Sequence, residues 1–154
     1  MTILWVVFAV TMLLSYLSEK QTLTIRGKRS YMSSFLLLVL VVIMSLHCGL
    51  RTAYNDTFTY IRSFQAAPTP AEYLANGVKL TENPLFYLMQ CFFRHHISDN
   101  YHLFFVCIAL ATMGCFVSFI RRYSHDFTFS MLLFYTLLYL LPFGAMKQAL
   151  QWQF

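Results

Sequence analysis

Four long apolar stretches constrain this chain more than any other feature. Residues 2–18 carry no charge, residues 31–50 carry only His47, and residues 101–120 and 127–143 repeat the pattern. At about 1.5 Å of rise per residue, each run makes a helix roughly 25–30 Å long, close to the depth of a bilayer's hydrocarbon core. Lipid offers no partner to open backbone N–H and C=O groups, so segments at that depth must close their hydrogen bonds internally, as helices. The expected fold class is therefore all-α: a polytopic integral membrane protein with about four transmembrane helices and a structured segment, 51–100, between the second and third. Residues 1–154 read as a single membrane domain.

Composition agrees with this reading. Of 154 residues, 58% are hydrophobic and only 11% charged, against about half and about a quarter in a soluble domain. This excludes a disordered chain, a nucleic-acid-binding arm and an ordinary soluble enzyme. The first run ends at Glu19-Lys20 and has neither a basic leader region nor an A-x-A cleavage pattern, so it reads as a retained span and not a signal peptide. Cys48, Cys91, Cys107 and Cys115 all lie in apolar stretches without a C-x-x-C pair, and read as small membrane-buried hydrophobes.

Most of the net charge of +5 sits in short connections between the runs. Lys20, Arg26, Lys28 and Arg29 lie in the first, against Glu19; Arg121 and Arg122 lie in the third, against Asp126. Basic loops stay on the cytoplasmic side, so 19–30 and 121–126 are expected inside. The N-terminus and residues 51–100 are then expected outside. The outer segment balances Arg51, Arg62, Lys79 and Arg94 against Asp56, Glu72, Glu82 and Asp99. Polar chemistry is concentrated there.

Local signals give that segment structure. Asn55-Asp56-Thr57 can cap a helix running through Tyr60 and Phe64. The two prolines of 66–70 mark a turn, and 71–76 reads as a short helix ended by Gly77. Glu82-Asn83-Pro84 opens another helix. Its apolar part, 84–93, is too short to span and is expected to lie in the membrane interface. The alternative is a tilted fifth span over 84–96, which would invert everything after it. Pro142-Phe143-Gly144 breaks the last run. No dinucleotide, P-loop or nucleophile-elbow motif occurs. His95, His96, Asp99 and His102 match no standard metal spacing, and no metal or cofactor is expected. Asn55-Asp56-Thr57 is formally a glycosylation acceptor, a pattern common by chance.

The distinctive constellation begins at the outer end of the second run: Arg51, Tyr54, Asn55-Asp56-Thr57 and Tyr60, followed by Glu82-Asn83-Pro84-Leu85-Phe86-Tyr87. This order resembles the N-terminal part of the EpsG family of bacterial exopolysaccharide polymerases, which are similar to the Wzy O-antigen polymerases. It also resembles the first outer loop of GT-C membrane glycosyltransferases. The likeness runs from about residue 35 to residue 148. Family members are longer and have more spans, and they usually carry Arg-Gln where this chain has Lys147-Gln148. The chain therefore reads as an N-terminal part of such a protein, inactive alone unless completed or complemented.

The resemblance implies a glycosyltransferase that joins polyprenyl-diphosphate-linked oligosaccharide units in exopolysaccharide, capsule or O-antigen synthesis. It would work in the bacterial inner membrane beside other polysaccharide assembly proteins. Under it, Asp56 is the general base that takes the acceptor hydroxyl proton, and Arg51 meets the leaving diphosphate. Lys147, Gln148 and Arg62 assist at the diphosphate, Arg94 being a further cation there. Glu82 orients the acceptor, and Tyr54, Tyr60 and Tyr87 meet sugar faces. Each residue has a plainer reading. Arg51 also suits the end of a span, Asp56 a helix cap, Glu82 the region that caps the Pro84 helix, Lys147 an ordinary surface position, and the tyrosines an aromatic belt. Two other classes stay open: a transporter or flippase fragment, and a non-catalytic membrane subunit. The first would place charged residues inside the spans, and these runs have none.

Overall fold

The computed structural model describes residues 2–20, 22–25, 28–31, 34–50, 57–75 and 84–139. Within them the protein is helical, apart from one two-stranded hairpin. The helices are α1 (Thr2–Lys20), α2 (Ser34–Gly49), α3 (Thr57–Gln65), α4 (Pro70–Ala75), α5 (Pro84–His96), α6 (Tyr101–Tyr123) and α7 (Phe127–Leu133). A π-helical turn, Phe134–Leu138, extends α7. The hairpin pairs β1 (Thr22–Ile25) with β2 (Lys28–Tyr31), antiparallel, with Thr22 opposite Tyr31. It joins α1 to α2 where the sequence indicated only a basic connection.

Two helices, α1 and α6, are long and apolar enough to cross a membrane, while α2 and α7 with its π turn are shorter apolar helices. These four pack side by side, with α1 against α2, α2 against α6, α6 against α7, and α7 back against α1. Their core is Leu37, Leu40, Met44 and Cys48 from α2, Ala109, Met113 and Val117 from α6, and Phe127, Met131, Phe134, Tyr135 and Tyr139 from α7 and its extension. Residues 40, 44 and 48 recur every four positions, as do 109, 113 and 117, so each helix presents one continuous stripe. On α1 the buried positions are Thr11, Ser15 and Ser18. Small hydroxyl residues let helix backbones approach closely. Thr11 and Ser15 donate back to their own helix, at Phe8 O (2.9 Å) and Thr11 O (2.7 Å), so neither hydroxyl is stranded in the apolar core.

Specific contacts fix the antiparallel order. At one end, the carboxylate of Glu19 accepts from the backbone N–H of Phe127 (3.4 Å) and Thr128 (3.1 Å), and from the Thr128 hydroxyl. An anion there satisfies the open donors of the α7 N-terminus and complements its dipole. Asp126 caps the same helix by accepting from Phe129 N at 2.8 Å. Lys20 lies over the Tyr16 ring at this end, and Arg121 and Arg122 close α6 there. At the opposite end, Gly49 meets the start of α6: a Cβ on Gly49 would sit 2.6 Å from the Cα of Val106. Only glycine permits that approach.

The connection between α2 and α6 forms a second apolar cluster, in which Tyr60 and Phe64 of α3 and Phe86 and Phe93 of α5 gather on Phe104, Phe105 and Ile108 of α6. Helix α5 thus packs on α3 and the first two turns of α6. Cys48 and Cys91 are buried, whereas Cys107 and Cys115 lie on the exposed face of α6.

The two described glycines separate cleanly in consequence. Gly49→Ala should destabilise the bundle by about 1–3 kcal/mol, the usual cost of overpacking. Gly114→Ala, whose Cβ would meet nothing within 4 Å, should stay within about 0.5 kcal/mol of the parent. Thermal unfolding of both variants in one detergent measures the difference.

Candidate functional site

Several polar side chains of α3, α5 and α6 lie where α2 ends and α6 begins. Asn100 starts α6 there, its side chain accepting from His102 N at 3.0 Å. Phe104 is the hub of the aromatic packing beside it, stacked on Phe64 with centroids 5.0 Å apart and edge-on to Phe93 at 5.2 Å. Tyr60 meets Phe86 edge-on at 6.1 Å, with its ring buried. Arg62, one turn from Phe58, lies over that ring at 5.3 Å. Tyr87 of α5 contacts Tyr73 of α4 at 4.9 Å. Helix α4 buries no side chain; its start is held by a reciprocal box in which Thr69 N donates to Glu72 (3.2 Å) and Glu72 N to the Thr69 hydroxyl (3.3 Å).

Arg94 ties this region together. Its Nη1 donates to Phe64 O (3.4 Å), Ala67 O (2.9 Å) and Gln65 O. These carbonyls lie at and just beyond the C-terminus of α3, where a cation is favoured by both hydrogen bonding and the helix dipole. His95 Nε2 also lies 3.3 Å from Ala67 O, and Asp99 stands 3.7 Å from the Arg94 guanidinium. A guanidinium bound to several carbonyls is held in place, and spending it on a diphosphate would undo the end of α3. Ser63 donates to buried Gln90 at 2.9 Å. The amide nitrogen of Gln90 and the Nδ1 of His102 are buried without a hydrogen-bond partner among the described residues.

The histidines have separate roles. His95 meets a backbone carbonyl, and His96 Nδ1 lies 3.2 Å from Phe92 O with its ring stacked on Phe92. No three His, Cys, Asp or Glu side chains converge on one point among the described residues.

One polar pair is set into the apolar bundle itself. His47, in the last turn of α2, lies with Nδ1 2.8 Å from the Tyr139 hydroxyl, and that hydroxyl donates to Met44 O at 3.1 Å. The two rings are nearly parallel, with centroids 6.0 Å apart. Tyr139 stacks in turn on Tyr135 at 4.3 Å, and Tyr135 donates to Leu4 O at 3.0 Å. His47 was visible in the sequence as the only basic side chain of its run; its partner, 92 residues away, was not.

Of the residues expected to act, Tyr60 and Arg62 are seated on α3 as described. Arg51, Tyr54 and Asp56 lie outside the described residues, as do Glu82, Lys147 and Gln148. The chain enters 51–56 directly from the end of α2 and leaves it at buried Thr57, the first residue of α3. It enters 140–148 directly from Tyr139.

A family model, EpsG family, matches residues 34–151. The chain belongs to the EpsG family. The match begins at the first residue of α2, takes in the region around Phe104 and the Arg51–Asp56 and Lys147-Gln148 positions, and leaves α1 and the hairpin outside it. No curated protein and no solved structure matches the chain. Family and apolar helices together mark this EpsG-family chain as a membrane protein.

Removing the tie at the end of α3 should loosen this region selectively. Arg94→Ala should lower the local opening free energy of α3 by about 1 kcal/mol, the scale of hydrogen bonds lost at half-buried carbonyls. Amide exchange should rise over Thr57–Gln65 while α6 keeps its protection.

Proposed function

We propose that this EpsG-family chain is a membrane-embedded polysaccharide polymerase, or the N-terminal part of one. It would join polyprenyl-diphosphate-linked sugar units in exopolysaccharide, capsule or O-antigen synthesis. The observation that carries this reading is the family match over 34–151, which includes both polar positions flanking the His47–Tyr139 pair.

The proposed topology has four spans, α1, α2, α6 and α7 with its extension, in the bacterial inner membrane. Lys20, Arg121 and Arg122 would lie inside, and the region around Phe104 outside. Three features support it: the four apolar helices pack in one ring, basic residues collect at the Glu19 end, and α5 packs on α3 and the start of α6 without joining the ring. At 13 residues, α5 is also short for a crossing.

In the proposed reaction an acceptor sugar hydroxyl attacks the anomeric carbon of a lipid-linked donor. The new glycosidic bond forms as the bond to the diphosphate breaks. Asp56 takes the hydroxyl proton, and Arg51 neutralises charge developing on the leaving diphosphate, with Lys147 and Gln148 beside it. Lys147 would act as a point charge and not as a bidentate fork. Glu82 and Tyr54 orient the acceptor. Arg62 and Tyr60 border the site from α3. Lipid bilayer and assembly proteins complete its surroundings.

The test is polymer output in cells deleted for the native gene, comparing this chain, any longer reading frame that contains it, and Asp56→Asn in whichever version works. Asp56→Asn should reduce polymer by about 100-fold or more, the scale of a lost general base, at unchanged membrane abundance. Full output from Asp56→Asn would remove the assignment of the base.

A further inference from the structure

We infer that Lys20 with Tyr16, and Arg122 with Tyr123, form a surface that binds anionic phospholipid headgroups at the Glu19 end of the bundle. The inference does not depend on the polymerase reading. It uses only that this chain is a membrane protein whose two long apolar helices, α1 and α6, both finish at that end.

Two observations meet there. The first is how the outward face of each helix ends. On α1 the exposed side chains Ile3, Val6, Leu13 and Leu17 are apolar, and the face closes with exposed Tyr16 and Lys20. On α6 the exposed face passes Leu103, Cys107, Cys115 and Phe119 before it reaches Arg122 and Tyr123. An outward apolar face in a membrane protein touches acyl chains, so these cations stand where the chains give way to headgroups. Tyrosine and long cationic side chains, each with an apolar body and a polar tip, suit that level. The second observation is that the cations are held but keep their donors. Lys20 Nζ lies 4.8 Å from the Tyr16 ring centroid, and the Arg122 guanidinium 5.6 Å from that of Tyr123. Among the described residues neither cation has a carboxylate partner. A ring face steadies a cation electrostatically. It leaves the ammonium and guanidinium N–H groups to bond phosphate oxygens.

The charge balance of this end selects the headgroup. Its carboxylates serve the start of α7: Glu19 accepts from the Phe127 and Thr128 amides, and Asp126 from Phe129 N. Against those two acids stand Lys20, Arg121 and Arg122, with Lys28 and Arg29 on the strand that leads into α2. The local field is therefore positive. A zwitterionic headgroup brings its own cation into that field, whereas an anionic one does not. An acidic protein would meet the same charges, but the aromatic part of the surface favours lipid. Phe119 and Tyr123 are exposed with their rings 4.7 Å apart. They continue the acyl-facing side of α6, so one lipid molecule can cover the rings with its chains and meet the cation with its phosphate.

The experiment reads lipid preference from tryptophan quenching. Trp5 and Trp152 are replaced by Phe in the intact chain, and Tyr123→Trp or Tyr16→Trp then supplies a single reporter whose ring still faces the cation. Each protein is placed in bilayers of phosphatidylcholine and phosphatidylglycerol in equal amounts, with bromine on the acyl chains of one lipid or the other. Brominated phosphatidylglycerol should quench both reporters as a lipid bound about threefold more tightly than phosphatidylcholine, the scale of a cation beside an anionic headgroup. A reporter at Cys107→Trp, on the exposed face of α6 toward its other end, should show no preference. Lys20→Gln together with Arg122→Gln should bring the ratio near one at both reporters, and Lys20→Arg together with Arg122→Lys, which keeps the charges, should retain it. Inorganic phosphate added at constant ionic strength should leave the preference in place. A ratio of one at both reporters in the parent background overturns the inference and leaves these charges to topology or to an acidic protein. A preference that survives the double Gln variant, or one equally strong at Cys107→Trp, overturns it as well. So does a preference erased by inorganic phosphate, since the surface would then take the free ion and not the lipid.

Discussion

The seam between α2 and α6 is the contact on which the rest of this protein depends. Leu40, Met44 and Cys48 meet Ala109, Met113 and Val117 along its length, and Gly49 brings α2 against the backbone of Val106 at its end. Everything else is arranged on one side or the other. The turns of α6 just beyond Gly49 carry Phe104, Phe105 and Ile108, the floor on which α3 and α5 pack. The far side of the seam receives Tyr139, and through it α7 and α1. Close approach at a glycine depends on geometry and not on water, so it works equally well inside lipid, where apolar burial supplies little drive between helices.

Polar groups in this fold are used mainly to finish helices. Glu19 closes the start of α7, Asn100 the start of α6, Glu72 the start of α4, and Arg94 the end of α3. Glu19, Glu72 and Arg94 also supply the charge sign that their helix termini favour, whereas Asn100 offers only a hydrogen bond. Other polar contacts join separate elements without capping a helix: His47 with Tyr139, Ser63 with Gln90, and Tyr135 with the carbonyl of Leu4.

Helix existence was legible in the sequence because it is set locally. Apolar runs, Asn and Asp caps, and Pro70 and Pro84 at first-turn positions all act within a few residues of themselves. The helices over 57–65, 70–75 and 84–96 follow those signals closely. The hairpin over 22–31 was missed: Arg26-Gly27 is only a weak turn signal, and the basic charge around it read as a connection. The Glu19 cap, the Arg94 tie and the π turn were missed for a different reason. Glu19 reaches across 109 residues and Arg94 across 27 to their carbonyl and amide partners, and no periodicity encodes such pairings. The motif residues of the candidate site were legible as a family pattern, but their pattern carries roles and not coordinates.

The distribution of cations narrows which ones can serve a leaving diphosphate. Arg94 is the most firmly bonded guanidinium among the described residues, and its bonds face carbonyl oxygens, which a phosphate would have to displace. Arg62 rests on Phe58, a contact that is weak when exposed and leaves its hydrogen-bond donors available to an anion. Arg121 and Arg122 sit at the opposite end of α6 from Asn100. Arg62 can therefore receive an anion without first giving up a carbonyl oxygen.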